Sequence, residues 1–130
     1  MRCLIKRLSL LCVLGLFAQA GCGKKLNDVR IVQVEPGEEK LIIADPVSRD
    51  QSVTVTWNAD GSPIIIYLFL ERDQKAASEA ITLGNNSGLL GSKAKADRGI
   101  LEVQVPSGEK LIVMLTSSKQ ASVRVHISGK

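Results

Sequence analysis

The chain has 130 residues, 45% of them apolar and only 3% aromatic, with 17 basic residues against 13 acidic ones. That length supports one domain with one core. The formal charge of +4 overstates its basicity: three of the 17 basic residues (Arg2, Lys6, Arg7) lie in the first seven positions, and the remaining 14 against 13 acidic ones exclude a strongly basic nucleic-acid binder.

Arg2, Lys6 and Arg7 precede an apolar run from Leu8 to Ala18 that ends in small residues. This is the order of a bacterial export signal, and the run is shorter than the roughly 20 residues of a membrane span. Two cleavage routes compete. Ala18-Gln19-Ala20 fits the small-x-small pattern of an ordinary signal peptidase, which would cut after Ala20 and secrete a soluble protein. Ala20-Gly21-Cys22 resembles the end of a bacterial lipoprotein lipobox, although Gln19 stands where that motif has an apolar residue. What the lipobox resemblance implies is a diacylglyceryl group, with its palmitate-like chains, on Cys22. Cysteine usage favours this route: Cys3 and Cys12 leave with the signal, so Cys22 has no intrachain disulfide partner and a free thiol in an oxidising compartment is a liability. The expected organisation is therefore a signal over 1–21, a lipidated N-terminus and tether over 22–28, and one domain over 29–130. Fully extended, Gly23 to Asp28 reaches about 20 Å, and Lys24 and Lys25 stand where they would meet anionic head groups in the cell envelope.

The domain reads as strands. Val29–Val34 and Lys40–Ala44, separated by Glu35-Pro36-Gly37-Glu38, predict a first strand pair. Ser52–Asn58 alternates, with Val53, Val55 and Trp57 on one face and Thr54 and Thr56 on the other. Asp60–Pro63 turns the chain into Ile64–Glu71, a central strand whose even positions are aliphatic and whose odd positions include Tyr67 and Phe69. From Arg72 to Gly99, "DQKAASEAI" predicts a short helix, and a short strand is expected around Leu89–Ala94. Ile100–Val105, Lys110–Thr116 and Ala121–Ile127 follow, with Pro106-Ser107-Gly108-Glu109 turning the first of these into the second. "VEPGEEKLIIA" and "VPSGEKLIVML" echo one another through shared turn chemistry. Short, evenly spaced strands without regular helical crossovers predict an all-β fold: an antiparallel, jelly-roll-like β-sandwich of seven or eight strands with one short helix or long loop.

"PIIIYLFLE", followed by the segment from Leu89 to Ser128, resembles the bacterial pre-peptidase C-terminal domain family in its order of strands. The resemblance implies an accessory β-sandwich on an exported protein rather than peptidase activity. Leu111 departs from it where an aromatic often follows the turn, as does Ser62-Pro63-Ile64 where acidic residues often precede the strand.

Residues for catalysis are sparse. His126, the single histidine, shares parity with Ser122 and Arg124 on a strand whose other face is Val123, Val125 and Ile127, which points it to solvent. One histidine and no spare cysteine leave no zinc set. Asn58 with Asp60, Asp45 with Asp50, and Glu38-Glu39 read as turn and surface residues, so no metal, cofactor or catalytic residue is expected and the chain reads as a non-enzyme. Two functions remain open: a lipid-anchored envelope module that binds or supports a partner protein through its edge strands and the 72–99 segment, and a carbohydrate-binding module. The second needs aromatic platforms, for which Tyr67 and Phe69 are the candidates while Trp57 reads as core.

Overall fold

The computed structural model describes residues 25–60 and 62–130, and Cys22 and Lys24 lie outside them. Eight strands form two four-stranded antiparallel sheets: β1 Asn27–Val34, β2 Glu39–Ile43, β3 Gln51–Asp60, β4 Ile64–Leu70, β5 Gly91–Ala96, β6 Arg98–Val105, β7 Leu111–Ser117 and β8 Ala121–Gly129. A 3-10 turn, Glu71–Asp73, and helix α1, Gln74–Leu83, separate β4 from β5. The sheet orders are β1-β8-β3-β6 and β2-β7-β4-β5, so every sequential connection except β4 to β5 passes from one sheet to the other. This is the jelly-roll arrangement of two interleaved Greek keys.

Alternation explains the layers. Val53, Val55 and Trp57 on β3 and Val123, Val125 and Ile127 on β8 turn inward, where they meet Ile64, Ile66, Leu68 and Leu70 of β4 and Leu111, Val113 and Leu115 of β7. The core is aliphatic apart from Trp57, whose indole N–H donates to the Ala96 carbonyl at 3.4 Å. A register shift on β5, with Lys95 at φ 50°, bulges the strand and aims that carbonyl inward.

Both faces of β4 are apolar because both are covered. Its odd positions lie outside the sandwich, where Phe69 packs with Ile112 and Met114 of β7 beneath Ala77 of α1, with Tyr67, Ile81 and Leu89 at the margin. Ala77 and Ala80 are the buried residues of the helix, and their small side chains let it lie close to the sheet. The 72–99 segment is thus a cover for one sheet, with its strand at Gly91–Ala96 rather than around Leu89–Ala94.

The expected hairpins are corrected. Val29–Val34 pairs with β8 and Lys40–Ile43 with β7, so the Glu35–Glu38 turn joins two sheets; Pro106–Glu109 likewise carries the chain from β6, paired with β3, to β7, paired with β2 and β4. The sequence echo has a physical basis in this shared task. Glu38 N–H donates to Glu35 O and Glu109 N–H to Pro106 O, both at 3.1 Å, with Gly37 at φ 76° and Gly108 at φ 82° in the third turn position. Both are type II turns, in which that position favours glycine.

The first strand starts at Asn27, two residues before the expected Val29, and the chain is already fixed at Leu26. Gly129 N–H donates to Leu26 O at 2.8 Å, and Leu26 N–H donates to Oε1 of the buried Gln51 at 3.5 Å.

Candidate functional site

The outer face of the β1-β8-β3-β6 sheet is assembled by register into cross-strand rows. One runs Ile31, Arg124, Asn58, Arg98; the next runs Val29, His126, Thr56, Ile100. Ser122, paired with Gln33 and Asp60, borders the first row, and Ser128, paired with Asn27 and Thr54, borders the second. Exposed β-branched side chains therefore frame a polar strip: Ile31 is 69% exposed, Ile100 63% and Val29 48%. Two adjoining grooves, of ≈220 and ≈400 Å³, share Asn58 and Arg124 and run along this strip.

His126 stands on this outer face, as its parity requires. Its Nε2 lies 2.9 Å from Asn27 Oδ1, and Gln33 Nε2 donates to Ser122 Oγ at 3.1 Å, so β1 is laced to β8 by side chains as well as by its ladder. Arg124 and Arg98 lie on either side of Asn58, and the face carries Asp60 at one corner and Glu102 at the other. This mixture of guanidinium groups, amides, hydroxyls and isolated aliphatics can form directional hydrogen bonds and small apolar contacts together. Of these residue types arginine is the one enriched at protein interfaces.

The structure alters the acidity of Glu102. Ser52 Oγ donates to Glu102 Oε1 at 2.5 Å and Lys130 Nζ lies 3.7 Å away, and the hydroxyl first and the ammonium second hold this carboxyl below the ordinary glutamate range. A carboxylate depressed in the folded state contributes stability that is present above its unfolded pKa and is lost as pH falls through its folded pKa. Ser52→Ala is expected to move the Glu102 titration upward toward the ordinary value, read from its carboxyl carbon shift by NMR. An unchanged midpoint would mean that the hydroxyl does not set it.

The other candidates fall elsewhere. Phe69 is 1% exposed beneath α1, so it offers no ring to a sugar; Tyr67 is half-buried beside it, on the opposite sheet from the grooves. Trp57 is 3% exposed in the core. The Asp50 carboxylate accepts Ser107 N–H at 2.7 Å and fastens two loops, Glu38 pairs with Lys40 at 2.8 Å, and Asn58 and Asp60 are on β3 rather than in a loop. Among the described residues there is no group of three or more His, Cys, Asp or Glu side chains placed to hold a metal ion, and no helix long and apolar enough to cross a membrane. The sequence showed the parity of His126 but not the rows, because cross-strand neighbours depend on a register that joins residues up to about a hundred positions apart.

No sequence-family model matches the chain, and no curated protein matches it in sequence. Solved structures do. The pre-peptidase C-terminal domain of collagenase from Bacillus anthracis superposes with a TM-score of 0.58 at 9% identity, over 78% of this chain and 89% of that domain. The Yersinia pseudotuberculosis-derived mitogen superposes with a TM-score of 0.55 at 13% identity, over 81% of this chain and 86% of the other. At such identities the likeness is one of architecture: the chain is a β-sandwich domain of the kind found in both proteins.

Proposed function

We propose that this chain is a non-catalytic β-sandwich module of the bacterial cell envelope, exported, anchored through lipid on Cys22, and engaging a partner protein through the outer face of the β1-β8-β3-β6 sheet. The observation that carries the binding role is the pair of cross-strand rows in which Ile31, Val29 and Ile100 frame Arg124, Asn58 and Arg98. A carbohydrate-binding role draws less support, because Trp57 and Phe69 are enclosed and Tyr67 is on the other sheet. Membership in the pre-peptidase C-terminal domain family is supported by strand order and fold alone.

Anchoring draws support from the Ala20-Gly21-Cys22 motif together with the fixed start of the fold at Leu26. Four residues beyond Cys22 span at most about 14 Å, which would hold the domain against the bilayer. Intact-mass analysis of membrane and soluble fractions tests this. Wild type is expected in the membrane fraction with at least a diacylglyceryl increment on Cys22, and Cys22→Ala in the soluble fraction or unprocessed; an unmodified wild-type protein beginning at Gly21 would refute the anchor. The binding face is tested by placing a photo-crosslinking residue at Ile31, at Ile100 and, on the outward side of α1, at Glu79. Adducts of one common mass at Ile31 and Ile100 but not at Glu79 are expected. Equal labelling at all three would remove the assignment of the face.

A further inference from the structure

The register of the β1-β8-β3-β6 sheet brings two unpaired cations into one row. Asn58 of β3 pairs with Arg124 of β8 on one side and with Arg98 of β6 on the other, and all three residues are exposed. Directly paired residues share a face and neighbouring strands lie about 4.8 Å apart, so the Cα atoms of the two arginines stand about 10 Å apart with an amide between them. Neither arginine makes an ion pair with a described residue. By contrast, Arg30 meets Asp28 at 3.0 Å and Arg72 meets Glu109 at 3.1 Å.

The carboxylates nearest the row leave this charge standing. Glu102, two positions beyond Ile100 on the same side of β6, is already engaged by Ser52 and Lys130. Asp60, two positions beyond Asn58, pairs across the sheet with Ser122, and Asp97 lies in the break between β5 and β6; neither forms an ion pair with Arg98 or Arg124. The ≈220 Å³ groove at Arg124 is otherwise lined by Thr56, Trp57, Asn58 and His126, with no carboxylate among them. Exposed aliphatic side chains flank the cations: Ile31 pairs directly with Arg124, and Val29 and Ile100 close the neighbouring row.

From this arrangement we infer that the occupant of the face is an acidic segment of a partner protein, with carboxylates at Arg124 and Arg98 and aliphatic side chains on Ile31, Val29 and Ile100. The inference rests on the reading of this face as a partner-protein site and names the chemistry of what it binds. Charge complementarity selects the acid: a guanidinium group takes a carboxylate through two parallel N–H···O bonds, and a basic segment would be repelled by both arginines. The aliphatic frame selects a polypeptide over an anionic polysaccharide. A polypeptide can set alkyl side chains on the two isoleucines beside its carboxylates, whereas a sugar chain offers ring faces, for which this side of the sheet exposes no Trp, Tyr or Phe.

The test is an NMR titration of the purified exported protein with a blocked peptide carrying two glutamates between two isoleucines, spaced by serines. The same peptide with glutamine for glutamate, and polygalacturonate, serve as separate probes. Saturable shifts at the amides of Ile31, Asn58, Arg98, Ile100 and Arg124 are expected with the acidic peptide, at concentrations about tenfold below those the glutamine peptide needs. Arg98→Gln and Arg124→Gln, both at exposed positions, should each raise the dissociation constant about tenfold, as for loss of one charge-assisted contact. Lys93→Gln, on β5 of the other sheet, should leave it unchanged. Absence of saturable shifts, equal binding of the glutamine peptide, or equal or tighter binding of polygalacturonate at the same amides would overturn the inference. Photo-crosslinking from Ile31 separates this failure from failure of the face itself. Loss of the adduct when both arginines are glutamine supports the acidic partner; an adduct that persists keeps the face and overturns the acid; and the absence of face-specific adducts in the wild-type background overturns the face.

Discussion

Trp57→Ala is expected to lower the unfolding free energy by about 3–5 kcal/mol, the usual cost of emptying a large aromatic site in a close-packed core. That is a large part of the ~5–15 kcal/mol available to a domain of this kind. Trp57 is 3% exposed, pairs with Val125 of β8 and Gly99 of β6, and donates its N–H to Ala96 O, so its loss also leaves the bulged end of β5 without its inward partner. The ring owes its place to Gly99. A Cβ added there would lie 2.5 Å from Trp57 Cζ2 and 2.8 Å from Cη2, closer than side chains pack, and Gly99→Ala should cost about 1–3 kcal/mol by overpacking. The two effects are coupled, since the clash requires the ring. In a double-mutant cycle Gly99→Ala should cost little once Trp57 is alanine. Denaturant unfolding of the four proteins measures both terms; a Trp57→Ala loss below about 1 kcal/mol, or strict additivity, would show that the ring is not seated as described.

The alternation of β3 and β8 was readable because each strand has one face in water, and period-two patterning then reports the face directly. The same logic reached its limit at β4. Ile64, Ile66, Leu68 and Leu70 and the opposing Tyr67 and Phe69 are equally apolar, and only the placement of α1 over β4 and β7 shows that one set meets the other sheet and the other set meets a helix. Turns were legible as turns and misleading as hairpins. A glycine in the third position of Glu35–Glu38 or Pro106–Glu109 fixes a local reversal, but local geometry is silent about whether the next strand pairs with the previous one or crosses to the facing sheet. The candidate face was the least legible feature. Ile31 and Ile100 are separated by most of the domain, and they border one strip because β8 and β3 lie between β1 and β6. Nothing in either segment alone encodes that neighbourhood.

Phe69→Ala is expected to separate the helix from the sandwich rather than unfold the whole. Phe69 is 1% exposed and occupies the middle of a small cluster with Ala77, Ile112 and Met114, so its truncation should cost about 3–5 kcal/mol of local stability. The helix has little else to hold it. It spans ten residues, buries two alanines, and has no side-chain cap at Asp73, and helices shorter than about 12–15 residues are marginal without tertiary contacts. The sheet beneath has independent support, because Leu111, Val113 and Leu115 alternate with Ile112 and Met114 along β7 and belong to the main core. Native-state hydrogen exchange should therefore show amides of Gln74–Leu83 losing protection at low denaturant while those of β3 and β8 keep most of theirs. Dye binding should rise as Ile112 and Met114 become accessible. Equal loss of protection in α1 and β8 would contradict this, and would mean that the helix and both sheets form a single cooperative unit whose outer cluster is as integral as its inner one.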